Sequence, residues 1–178
     1  MSSIYDQAEK ETYALAAEIM EAHHQDLRLP DGTFPRLCIL MAAKEEGDEP
    51  AVKSHGYPCA AVVSVIPYKQ RVDKRADAEI VIDEEAWKGF SDPEKRALLD
   101  HEITHLEIQK DDVGCVKTDD FGRPKLKLRL HDWQLGGFAS IAKRYGADAI
   151  ERQEFRKAVE GHGEALGVAK EAKLFPVA

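Results

Sequence analysis

Apolar residues at Tyr13, Leu15, Ala16, Ile19 and Met20, with His23 in register, recur at three- and four-residue intervals. That period puts them on one face and predicts an amphipathic helix over residues 3–25. Leu29-Pro30-Asp31-Gly32 supplies the turn chemistry that ends it. Residues 37–43, Leu-Cys-Ile-Leu-Met-Ala-Ala, form a short continuous apolar run and read as a buried strand. Residues 44–58 are acidic and broken by Gly47, Pro50, Gly56 and Pro58, which predicts a loop. Residues 60–66, Ala-Ala-Val-Val-Ser-Val-Ile, are β-branched and apolar and predict a second central strand. Residues 78–83 predict a third, with Ile80 and Ile82 facing one way and Val81 the other.

A strong helix start follows. Ser91-Asp92-Pro93-Glu94 combines a capping serine, a proline in the first turn and a glutamate three residues after the cap. The predicted helix spans 92–109, with Leu99, Ile103 and Leu106 on one stripe and Leu98 and Ile108 off it. A helix apolar on more than one side is enclosed by other elements. Residues 113–117 and 124–130 flank Asp119-Asp120-Phe121-Gly122 and predict a β-hairpin. Its second arm, Lys125-Leu126-Lys127-Leu128-Arg129-Leu130, alternates cleanly, so one face should be buried and the other wet. Helices are predicted over 133–145, ending at Gly146, and over 149–160, stopped by Gly161-His162-Gly163. No internal repeat or low-complexity tract stands out. The expected class is α+β: a small mixed sheet packed with a central helix and flanking helices. The whole of 1–178 reads as one domain, with its core at about 10–146 and a helical extension over 147–178.

Composition narrows the picture. The 178 residues are 43% hydrophobic and 33% charged, ordinary for a globular protein. A net charge of -8 gives no electrostatic reason to seek nucleic acid or an anionic membrane. The basic stretches at Lys125, Lys127 and Arg129 and at Arg152, Arg156 and Lys157 alternate with apolar or acidic residues and read as solvated faces. Cys38, Cys59 and Cys115 are odd in number and far apart, against a disulfide framework or a cysteine-rich metal site. The first residues lack a basic stretch followed by an apolar run, and residues 59–67 are too short to span a bilayer. The expectation is a cytoplasmic protein in a reducing compartment.

The candidate chemistry lies in His101-Glu102-Ile103-Thr104-His105. Histidines four apart on a helix share a face and can offer two imidazoles to one zinc ion. Glu102, one position after the first, can reach the water that such a metal activates without becoming a ligand. Catalytic zinc takes three protein ligands. His131 is the best third candidate, because it directly follows the second hairpin arm; Glu107, Asp132, Glu151 and His162 stay open. Asp132 fits a helix cap or a carboxylate that orients a ligand. His23, His24 and His55 read as surface or capping residues.

The run Leu98-Leu99-Asp100-His101-Glu102-x-x-His105, with a hairpin ending in Arg129-Leu130-His131-Asp132, resembles the putative phage metallopeptidases. These are small zincin-like proteins of bacteriophages and prophages. The likeness takes in Ala78–Asp83, Trp87, Ser91-Asp92-Pro93-Glu94, Arg144-Tyr145-Gly146 and the first helix with His24 and Leu27, most of residues 10–146. The HExxH core is specific only to a superfamily; the His-Asp after the hairpin is the discriminating element. The resemblance implies a minimal zincin-like fold, zinc held by His101, His105 and His131, and Glu102 as general base. It also implies a peptide or protein substrate met in the cytosol of a bacterial host. Thr104 departs from a cysteine expected in many relatives, and Gln134-Leu135-Gly136-Gly137 replaces an acidic stretch, so a role for those acids is in doubt here. The expected activity is zinc-dependent peptide hydrolysis, with an oxyanion donor sought among Arg144, Tyr145 and His162. Residues 80–83 are the expected edge for pairing with an extended peptide. Two other readings remain: a phage-encoded zinc-binding interaction or anti-defence protein without turnover, and a zinc enzyme acting on another amide.

Overall fold

The computed structural model describes residues 3–45, 50–54, 56–74 and 76–130. In chain order its elements are β1 (Ser3–Gln7), α1 (Lys10–His23), β2 (Leu37–Lys44), β3 (Lys53–Ser54), β4 (Tyr57–Pro58), β5 (Ala61–Val65) and α2 (Tyr68–Lys74). They continue with β6 (Ala78–Asp83), α3 (Glu84–Gly89), α4 (Asp92–Thr104), β7 (Leu106–Ile108) and β8 (Leu126–Leu128).

The two most apolar runs lie side by side: β2 and β6 pair in parallel, with Ile39 opposite Ile80. β1 adds antiparallel to β2, and β5 antiparallel to β6, so the mixed sheet runs β1-β2-β6-β5. One face presents Ile39, Ala61, Val63, Ala78, Ile80 and Ile82, all buried. Ala16, Ile19 and Met20 of α1 and Leu99 and Ile103 of α4 complete the same core, joined by Leu106, Ile108 and Leu126 of the β7–β8 pair. Val81, Leu40 and Val62, on the other face, are only half-buried. Each large aliphatic side chain taken from water contributes about 1.5–3 kcal/mol, so this single apolar interface dominates the stability of the described unit. The class is α+β, and the alternation of Ile80 and Ile82 against Val81 is as expected.

Asp83 is the hinge from sheet to helices. Its Oδ1 accepts from Ala86 N at 3.0 Å, capping α3, and its Oδ2 accepts from Ala51 N at 2.7 Å. α4 then starts at Ser91, whose backbone N–H and Oγ both donate to the Glu94 carboxylate, at 2.8 and 2.6 Å. Those bonds hold the Glu94 carboxyl below its ordinary pKa.

Several expectations are corrected. The helix expected over 3–25 is split, because residues 3–7 instead form an edge strand that satisfies its main chain on β2. Its side chains are mostly exposed, so apolar periodicity carries no signal there. Among the described residues the strand at 60–66 is not central: β5 ends the sheet, and β6, the expected edge for a peptide, has a neighbour on both sides. α4 stops at Thr104 rather than 109, and Leu106 and Ile108 are buried as alternate residues of a strand, not as helix positions. Ile108 falls off the helical stripe for that reason.

The hairpin is also more elaborate than expected. β8 pairs with β7, while 113–117 contributes only bridges, Lys110 with Val116 and Thr118 with Pro124. The alternation of 125–130 buries Leu126 alone; Leu128 is 46% and Leu130 80% exposed. A short repeat, not singled out in the sequence, becomes visible in the fold. Asp111-Asp112-Val113-Gly114 and Asp119-Asp120-Phe121-Gly122 make the same turn, each first aspartate accepting backbone N–H groups two and four residues on. Gly114 and Gly122 close these turns at φ 88° and 76°, a conformation glycine adopts without a Cβ penalty. The helices expected over 133–145 and 149–160 lie outside the described residues. No helix among the described residues is long and apolar enough to cross a membrane.

Candidate metal centre

α4 carries His101 and His105 on one face, and their Nε2 atoms converge to 3.3 Å, the rings edge-on at 82°. Two ligand atoms about 2.0–2.1 Å from a tetrahedral ion stand about 3.3–3.4 Å apart, so the pair fits two corners of a zinc site. His105 follows the last helical residue, yet its φ of -67° and ψ of -18° are still helical, which keeps the four-residue spacing effective.

The imidazole of His105 is oriented by the chain itself. Its Nδ1 lies 2.9 Å from Arg129 O, and Arg129 N donates to His105 O at 2.8 Å. A carbonyl accepts only, so Nδ1 carries the proton and Nε2 keeps the lone pair that a cation needs. The β7–β8 pairing brings Arg129 to this point across 24 residues.

Glu102 is buried, 5% exposed. Burial pushes its carboxyl pKa up, opposed by the nearby His105 charge and by a hydrogen bond from the Val63 backbone. Cys59 lies in the same field: burial raises its thiol pKa, and the charges of Glu102 and Asp83 raise it further. A carboxyl with elevated proton affinity beside two convergent imidazoles is suited to moving a proton.

His131, Asp132, Glu151 and His162 lie outside the described residues, as do Arg144 and Tyr145. Glu107, another ligand candidate, faces Lys127 at 2.9 Å. Among the described residues no third histidine, cysteine or carboxylate joins the pair. One contact escapes sequence reasoning. His24, read as a surface or capping residue, does follow α1, but it is buried and bonds Asp100 Oδ1 through Nε2 at 2.7 Å, beside His101. Its place at a helix end hides a partner 76 residues away.

Fold and site together describe an α+β protein with a metal-competent histidine pair and a buried carboxylate on one helix. The sequence model of one family, described as putative phage metallopeptidase, matches residues 4–173, and the chain belongs to that family. No curated protein and no solved structure matches it.

Proposed function

We propose that this chain is a zinc-dependent peptidase in which His101, His105 and His131 hold the metal and Glu102 is the general base. The observation that carries the reading is the 3.3 Å convergence of two Nε2 atoms, one with its tautomer set by Arg129 O. The family, a metallopeptidase family by description, supports metal-dependent hydrolysis of a peptide bond. His131 enters the ligand set from the sequence alone, as the histidine that directly follows the second hairpin arm.

When bound, zinc supplies the Lewis acidity that polarises a scissile carbonyl and acidifies water. Glu102 accepts the proton of the attacking water and returns it to the leaving amine; its burial raises the proton affinity of that carboxyl. Among the described residues β5 is the edge strand nearest this chemistry. Asp83 N bonds Ala60 O and Ile66 N bonds Asp77 O, so the main-chain groups of Ala61 and Val65 turn away from β6, while the Val63 N–H, on the same side, is taken by Glu102. An extended peptide pairs with that edge in this reading, in place of β6.

The test is metal analysis paired with turnover of a mixed peptide library. Near-stoichiometric zinc, lost in a His101→Ala/His105→Ala variant, together with cleavage abolished by Glu102→Gln while zinc stays bound, is the expected result. A protein that cannot be loaded with metal overturns the reading. Zinc without cleavage in the wild type overturns the peptidase and favours a zinc-binding interaction protein.

A further inference from the structure

At the end of the sheet where β2 and β6 begin, Arg36, Arg71, Val72, Asp119, Phe121 and Arg123 line a cleft of about 400 Å³. Two of its arginines belong to the scaffold. Arg71, 2% exposed, donates through Nε to Ile66 O at 3.1 Å and through Nη1 to Pro124 O at 2.8 Å, with Asp119 Oδ2 at 3.4 Å. Arg123 donates through Nε to Asp77 Oδ1 at 3.1 Å and through Nη1 to Arg71 O at 3.2 Å.

The folding contacts leave a surplus. Arg71 Nη2 is buried with no acceptor. Arg123 Nη2 is ion-paired with Asp77 Oδ1 at 2.8 Å, so the surplus donor is that of Arg71. Buried donors without acceptors are uncommon and ask for an explanation. Arg36 is exposed, and no contact among the described residues engages its guanidinium; only its backbone N–H is used, on Asp77 Oδ2 at 2.8 Å. Among the described residues Asp77 and Asp119 pair with Arg71 and Arg123, and no carboxylate is paired with Arg36. Val72 and Phe121, on the same cleft, are 65% and 76% exposed and put apolar surface beside the arginines.

We propose that this cleft binds a carboxylate carried on an apolar body, such as the C-terminal residue of a peptide with an apolar side chain. The carboxylate faces Arg36 and the 20% exposed side chain of Arg123, over the buried charge of Arg71. The apolar part lies against Val72 and Phe121. A phosphate dianion suits the site less, because Arg36 alone cannot balance two charges and Asp119 lines the cleft. Binding here does not depend on the metal.

The test uses the full chain and N-acetylphenylalanine, with N-acetylphenylalaninamide and inorganic phosphate as comparisons, followed by backbone amide NMR shifts. Saturable shifts at Val72 and Phe121 with the acid, with binding about tenfold or more weaker for the amide and for Arg36→Gln, are expected. Arg36→Gln touches no folding contact, so its thermal melt should match the wild type, and Phe121→Ala should weaken the acid without changing its salt dependence. Equal binding of acid and amide, wild-type binding by Arg36→Gln, tighter phosphate than acid, or no saturable shift each overturns the proposal.

Discussion

At the residue scale the chemistry depends on side chains fixed by partners far along the chain. His105 owes its tautomer to Arg129 O, and Glu102 owes its raised pKa to burial against β5, moderated by a bond from Val63. The His24–Asp100 pair ties the end of α1 to the residue before His101. His24 is buried and Asp100 half-exposed, so His24→Ala removes one hydrogen bond and leaves Asp100 open to water, and should lower unfolding free energy by about 0.5–1.5 kcal/mol in a denaturant titration. Asp100→Asn in the same background should then cost little more, the coupling that a double-mutant cycle reads. Asp119 gives a second prediction. Burial raises its pKa, but the backbone N–H groups of Arg123 and Phe121 and the charges of Arg71 and Arg123 outweigh this and hold it below the ordinary value. A depressed folded-state pKa adds stability that is complete above about pH 4 and is lost as pH falls through the folded value. Melting temperature should therefore drop on acidification over that window, and Asp119→Asn should flatten the drop.

At the element scale, two devices place the site. The capped start of α4 sets where the helix begins, and the strand alternation of Leu106 and Ile108 ends it at Thr104, with the second histidine as its C-cap. The β7–β8 pair, held open by its two Asp-Asp-x-Gly turns, then returns the chain to His105. Gly122 closes one of those turns at φ 76°, and a methyl group on its Cα would meet nothing within 4 Å, so Gly122→Ala loses backbone freedom without a clash. The expected cost is about 1–2 kcal/mol in unfolding free energy. A larger loss would mean that the turn carries packing which the glycine's open surroundings do not suggest.

At the scale of the whole molecule, metal and fold should be linked. A ligand that binds only the folded chain stabilises it by about 2.7 kcal/mol at a hundredfold excess over its dissociation constant. Chelation should lower the melting temperature, zinc should restore it, and the His101→Ala/His105→Ala variant should respond to neither. An identical melt with and without chelator would remove the metal from the account.

Much of the site and part of the sheet were legible in one dimension. Helix spacing alone puts His101 and His105 on one face with Glu102 beside them, and short apolar runs alone mark β2, β5 and β6, because these patterns depend on neighbours a few residues apart. Strand order, the edge position of β5, the pairing of residues 3–7 and the end of α4 were not legible. Each depends on which distant segment supplies a hydrogen-bond partner, and periodicity is silent about that. The same holds for the arginine cleft: Arg36, Arg71 and Arg123 are scattered along the sequence, and only the meeting of a sheet end with a turn tip gathers their charges. The sequence by itself determined the chemical groups of this protein and their local spacing. The tertiary structure decided their surroundings, since burial, tautomer and ion pairing arise only when remote parts of the chain pack together.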